Sequence, residues 1–164
     1  MKKLFRSITL VLVSVSISAV AETPDQKTTS QKFKDWEAIC VERAEQQQCR
    51  ATQTLVNQQG QTVAVLNWYR PDLETSVFEL ALPLMINLKA GAAITVDENQ
   101  EVERDLSFCN NIACFVVEQQ DTELLEQFKK GSAGRVTFTP VTAQQINLAF
   151  SLQGFSAAFN SLQQ

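Results

Sequence analysis

The chain has 164 residues, of which 45% are hydrophobic and 20% charged, with 14 basic side chains against 18 acidic ones and a net charge of −4. That length suffices for one domain with a real core, while an acidic chain without a basic stripe is not built to neutralise nucleic-acid phosphates or to lie on an anionic membrane. Histidine is absent, which excludes Ser-His-Asp and Cys-His hydrolysis and the common histidine-bearing zinc sites.

The N-terminal residues carry an export pattern. "MKKLFRS" is basic, "ITLVLVSVSISAV" is apolar, and "AVA" (Ala19, Val20, Ala21) has the small-x-small form of a cleavage site, followed by the polar "ETPDQK". Residues 1–21 are therefore expected to be a signal peptide, cleaved after Ala21. Its apolar run of about 13 residues falls short of the roughly 20 that a membrane span needs, and no later stretch comes closer. No cysteine stands at the cleavage point to take a lipid, so the processed chain is expected to be periplasmic or secreted, with no membrane span. Cleavage removes Lys2, Lys3 and Arg6 and leaves 143 residues with 11 basic and 18 acidic side chains, a net charge of −7. "ETPDQKTTSQK" (22–32) is polar, contains Pro24 and lacks apolar periodicity, so it is expected to be a flexible leader before a single domain over 33–164.

Most of that domain has strand character. "QTVAVLNWY" (61–69) is rich in β-branched and aromatic residues and short for a helix. "VFELALPL" alternates Phe78, Leu80 and Leu82 against Val77, Glu79 and Ala81, and Pro83 then suits an edge or a bulge better than a central ladder. "AAITV", the polar turn "DENQ" (97–100) and "VERDLSF" suggest a hairpin whose second arm sets Val102, Arg104, Leu106 and Phe108 on one face. "RVTFTP" places Val136 and Phe138 on one side, and "QINLAFSL" does the same with Ile146, Leu148, Phe150 and Leu152. Two segments have helical period instead. "DTELLEQFKKG" offers Asp121 as N-cap, an apolar face of Leu124, Leu125 and Phe128, Lys129 and Lys130 in the last turn, and Gly131 as a left-handed cap. "GFSAAFNSLQQ" spaces Phe155, Ala158, Phe159 and Leu162 at i, i+3, i+4 and i+7. The expected fold is mainly β: an antiparallel β-sandwich with short helices at about 121–130 and 155–162.

Four cysteines, Cys40, Cys49, Cys109 and Cys114, in an exported chain point to a disulfide framework. Three pairings are possible; the favoured one closes "CVERAEQQQC" and "CNNIAC" locally, stapling two hairpins. Separations of nine and five match zinc sites poorly, so no metal and no cofactor is expected. A redox centre would place C-x-x-C at a helix N-terminus, whereas "CNNIAC" has four intervening residues between strand-forming stretches. Asp35 and Glu37 in "KDWE" and Asp72 and Glu74 in "RPDLE" are carboxylate pairs in principle, equally accounted for as solvated or loop charges. In "NWYR" (67–70), Trp68 and Tyr69 face opposite sides of a strand, which leaves one of them to the core.

Several of these segments taken in order resemble the invasion-associated locus B family of exported bacterial proteins: "DWEAIC", a second cysteine nine residues on, "LPLMINLKAGAAITVD", "LSFCNNIACFVV", the helix ending in "FKKG", and "INLAFSLQGFSAAFNSL". The similarity covers nearly all of the chain after the signal and departs around Leu84–Leu88, where many members have a glycine-rich turn. It implies a small, disulfide-bonded, β-rich periplasmic or envelope protein, named for host-cell invasion in some pathogens, with no enzymatic activity or ligand residues to carry over. The functional expectation is a non-enzymatic module that binds an envelope or extracellular protein or a surface component through edge strands and exposed aromatics. The alternative is a periplasmic thiol-disulfide or other enzyme using Cys109 and Cys114.

Overall fold

The computed structural model describes residues 27–43, 46–142 and 144–162; the expected signal peptide and residues 22–26 of the expected leader lie outside them. Two antiparallel sheets enclose one core. The larger has seven strands in the order β1 (Lys27–Phe33), β2 (Trp36–Arg43), β3 (Gln46–Val56), β4 (Thr62–Tyr69), β5 (Val77–Leu82), β9 (Cys114–Gln119) and β8 (Phe108–Cys109). The smaller runs β11 (Ile146–Ser151), β10 (Ala133–Phe138), β6 (Ala92–Val96) and β7 (Val102–Arg104). α1 (Thr122–Lys130) bridges the sheets in sequence, and α2 (Phe155–Asn160) follows β11.

Alternation decides which residues meet in the middle. In β5 every second residue, Phe78, Leu80 and Leu82, is buried; Leu66 and Trp68 of β4, Trp36 and Ala38 of β2 and Val116 of β9 join them on the inner face. The helices fill the gap between the sheets with aromatic rings. Phe128 of α1 is fully buried against Trp68 (5.4 Å between centroids), Phe155 (5.2 Å), Phe150 (5.3 Å) and Phe78 (5.8 Å), mostly edge-on or tilted, as ring quadrupoles prefer. Trp36 packs edge-on against Phe155 at 4.9 Å and donates its indole N–H to the Ser151 carbonyl at 2.8 Å, while the Gln53 amide donates to the same carbonyl at 3.0 Å. These contacts tie the end of the small sheet to the inner face of the large one.

The α1 signals work as the sequence suggests in all but the closing glycine. Asp121 Oδ1 accepts the Leu124 N–H at 2.9 Å, and Lys129 and Lys130 occupy the last turn. Gly131, however, is extended (φ −74°, ψ 168°) rather than left-handed. Space is what requires glycine there: a Cβ would stand 2.6 Å from Val96 Cγ1 and 2.8 Å from Leu152 Cδ1. Gly154, by contrast, is left-handed (φ 91°) and turns the chain from β11 into α2 so closely that a Cβ would collide with the Phe33 carbonyl. α2 ends at Asn160, earlier than expected, yet Leu162 is still buried.

Three other expectations change. From Lys27 the supposed flexible leader is β1, paired with β2 over its whole length; it shows no apolar period because six of its seven side chains face solvent and the backbone ladder holds it. β5 is a central strand, and Pro83 falls just past its end, where no ladder hydrogen bond is lost. "VERDLSF" is not one arm: Val102–Arg104 pairs with β6 in the small sheet, and Phe108–Cys109 pairs with β9 in the large one.

Candidate binding surface

Both cysteine pairs are disulfides, Cys40–Cys49 and Cys109–Cys114, each joining residues directly opposite in register. Closing loops of this size stabilises the folded chain by about 2 to 3 kcal/mol each in the loop-entropy picture. The second staples a hairpin whose turn is held by Asn110: its Oδ1 accepts the N–H groups of Ile112 (2.8 Å) and Ala113 (3.0 Å). Phe108 and Phe115, one step outside each cysteine, stack at 4.9 Å. Cys114 is 3% exposed, and neither sulfur lies at a helix N-terminus, the setting that lowers a thiol pKa. Among the described residues no three Cys, Asp or Glu side chains converge in a way that would hold a metal ion.

The Asp72 carboxylate serves the chain itself. Asp72 Oδ1 accepts the N–H groups of Glu74 (2.9 Å) and Thr75 (2.6 Å), and hydrogen bonds from the Thr75 side chain and these two backbone groups hold its carboxyl below the usual value. Asp35 sits in the β1–β2 turn, where its carbonyl accepts from Gln53 at 2.9 Å. Arg104 of β7 forms a strut between sheets. It pairs with Asp121 at 2.6 Å and Glu118 at 3.6 Å in a cleft of about 460 Å³, so the N-cap of α1 is also a salt-bridge partner.

The outward face of the seven-stranded sheet is different in kind. Register sets Ile39, Arg50, Tyr69 and Val77 in one row, Glu37, Thr52, Asn67, Glu79 and Val117 in the next, and Thr54, Val65, Ala81, Phe115 and Phe108 in a third, with Val41 beside Gln48. Both helices pack on the opposite face through Phe128, Phe155 and Phe159. A solvated face of an antiparallel sheet ordinarily alternates to polar residues outward. Here Ile39, Val41, Val65, Val77, Phe115 and Val117 stand there, half-buried only by their neighbours, and Phe108 is 52% exposed.

One polar network crosses this apolar field. Glu79 Oε1 accepts from Asn67 Nδ2 at 2.9 Å and from the Tyr69 hydroxyl at 3.1 Å. Burial, then the charge and hydrogen bond of Glu79, push the Tyr69 phenol up to about 12, against a smaller lowering by Arg50. Tyr69 is thus a fixed, protonated ring. Around it two adjoining clefts, of about 310 and 570 Å³, share Gln46, Gln48, Cys49 and Tyr69; Val41 and Arg50 complete the first, and Gln47, Arg70, Pro71 and Val77 the second. Glutamine amides that both donate and accept, a tyrosine ring and guanidinium groups make a lining suited to backbone amides and side chains of another protein.

Of the residues singled out in sequence, the structure brings Asn67 and Tyr69 into this surface and sends Trp68 into the core, where it is fully buried. Ile39, Val41 and Val117 escape a periodicity reading, because "AICV" and "CFVV" are continuous apolar runs that read simply as buried strands. Their signal was that very lack of alternation.

Comparison with known proteins agrees with this architecture. A crystal structure of invasion associated protein B from Bartonella henselae superposes with a TM-score of 0.70 over 82% of this chain and 94% of that one, at 21% identity, a likeness of fold. Invasion protein B homologs of Brucella abortus, from strain 2308 and from biovar 1 strain 9-941, are each 24% identical over 168 aligned residues, covering 98% of this chain and 97% of theirs. Among the described residues no helix is long and apolar enough to cross a membrane. The family model for the invasion associated locus B (IalB) protein matches residues 36–163, and the chain belongs to that family.

Proposed function

We propose that the protein is a non-enzymatic module, exported to the periplasm or beyond the cell, that acts by binding an envelope or extracellular protein through the outward face of its seven-stranded sheet. The observation that carries this reading is the apolar outward set, Ile39, Val41, Val65, Val77, Phe115 and Val117, on a face that no described element covers. Leaving such a set in water costs free energy that a partner recovers. The Tyr69–Glu79–Asn67 network supplies orientation at its centre, and the glutamine-lined clefts supply donors and acceptors at its border. Export is supported by the basic, apolar and small-x-small order of residues 1–21 and by two disulfides, which persist in oxidising compartments. The relatives are named for invasion, and a host-facing role for this chain is a proposal of the same standing.

The test is affinity capture from envelope extract with the processed chain and with a Val41→Lys/Val117→Lys variant. Both substitutions sit on the solvent side of strands, where they cost at most about 1 kcal/mol of stability. The expected result is one protein retained by the wild-type chain and lost from a variant that melts normally. Equal retention by both chains would sink the assignment of this face.

A further inference from the structure

The exposed large apolar side chains are not scattered. Among the described residues, Leu73 and the sheet-face Phe108 apart, they lie at one end of the fold: Val56, Leu84, Met85, Leu88, Ile112 and Val141. The pairings put them together. Leu84 lies two residues beyond Leu82, and Ile112 two residues before Cys114, the last register pair of β5 and β9. Val56 pairs with Thr62 at the start of β4, on the same side. Across the gap, the Val141 N–H donates to the Met85 carbonyl at 2.9 Å, Asn87 donates to Thr139 at 2.8 Å, and Ile86 bridges Pro140.

Charge divides the same way. The described residues of the segments meeting at this end, 57–61, 83–91, 110–113, 139–142 and 144–145, number 24 with one charge, Lys89, in a chain of which 20% is charged; the β1–β2 turn, level with Thr54 and Leu55, brings Lys34 and Asp35 to the rim. The connections 70–76 and 97–101 alone carry Arg70, Asp72, Glu74, Asp97, Glu98 and Glu101. Met85 is also held at φ 66°, a left-handed conformation unfavourable for a side chain of its size, with its side chain 69% exposed.

From this we infer that the Leu84/Ile112 end is a membrane contact: it dips into the surface of a zwitterionic phospholipid bilayer. The chemistry matches at each point. Apolar side chains on the tips of separate segments, rather than on a flat face, enter the boundary between headgroups and acyl chains together. Asparagine, glutamine and threonine between them meet the headgroup zone without the cost of burying a charge. Lys89 has a stem long enough to remain with the lipid phosphates while its neighbours insert. The net acidity of the chain sets the lipid type, because insertion here is apolar and gains nothing from anionic lipid. This surface is separate from the clefts around Tyr69, so it orients the protein-binding sheet relative to the membrane and does not replace it.

Flotation with vesicles of phosphatidylcholine and phosphatidylethanolamine, at low and high salt, tests it. The processed wild-type chain is expected to float with the vesicles at both salt concentrations, and Leu88→Asp/Ile112→Asp, with an unchanged melting temperature, to partition at least about tenfold less. Leu88→Trp gives an arm independent of the double variant: both native tryptophans are fully buried, so a blue shift on adding vesicles reports the new ring entering lipid. A wild-type chain that stays with the soluble fraction and a Leu88→Trp emission indifferent to vesicles would overturn the inference. So would light scattering that shows a dimer split by Leu88→Asp/Ile112→Asp, since the end would then belong to a second copy of the chain.

Discussion

Tyr69 is the only tyrosine in the sequence, which makes its ionisation visible without labels. Absorbance near 295 nm follows phenolate, and with one phenol the whole change belongs to the centre of the proposed binding face. The phenol is pushed from the ordinary 10.0 to about 12, first by burial and then by the charge and hydrogen bond of Glu79. At pH 11 an ordinary tyrosine is about 90% ionised and this one about 10%. Raising the pH from 10 to 11 is therefore expected to leave the 295 nm signal nearly flat while far-UV circular dichroism stays native. Glu79→Gln removes the second cause but not the first, so its midpoint falls yet remains above 10. A raised folded-state pKa means that the folded chain holds the proton more tightly. Stability from this group is then intact below pH 10 and declines between about 10 and 12, by no more than about 2 kcal/mol because the ring is partly open to solvent. A wild-type midpoint near 10 with native dichroism would refute the Tyr69–Glu79–Asn67 geometry.

Three further outcomes follow from the packing. Cys109→Ser/Cys114→Ser is expected to lose about 2 kcal/mol and Cys40→Ser/Cys49→Ser slightly more, because the second loop is longer, as read by urea unfolding; partner capture by the folded Cys109→Ser/Cys114→Ser protein should persist, and its loss at unchanged stability would revive a redox role. Gly154→Ala puts a Cβ at positive φ and into the Phe33 carbonyl, a loss of about 3 kcal/mol or more; a near-neutral result in the same assay would contradict the β11–α2 turn. Arg104→Ala leaves Asp121 and Glu118 without their cation and should cost about 2 to 3 kcal/mol, with a coupling of at least about 1 kcal/mol in a double-mutant cycle with Asp121→Ala.

How far such features were legible depends on how local their causes are. β5 and β11 alternate strictly because one face is buried and the other is not, and α1 announces its N-cap and basic last turn within eleven residues. β1 is hidden because its stability comes from a backbone ladder with β2, which leaves no mark on side chains that all but one face solvent. The division of "VERDLSF" between two sheets comes from two local hairpins, one back to Ala92–Ile94 and one forward to Cys114–Phe115, and nothing within the run itself marks where the first pairing ends and the second begins. At the binding face, sequence identified "NWYR" and assigned its two aromatics to opposite sides, but Glu79 beneath Tyr69 and the outward valines emerge only when register aligns four strands. The segment around Leu84–Leu88, where the family resemblance is poorest, is also where the exposed apolar end is built.

The outward face of the large sheet is the proposed protein contact. Its most direct test places a photo-crosslinking amino acid in the exported chain, in the living bacterium, at Ile39, Tyr69 or Val117 on that face and at Glu103 or Glu126 away from it. The predicted result is one adduct of the same mass from all three face positions and none from the controls. Adducts that form equally from Glu103 and Glu126, or that fail to form from the face, would contradict it.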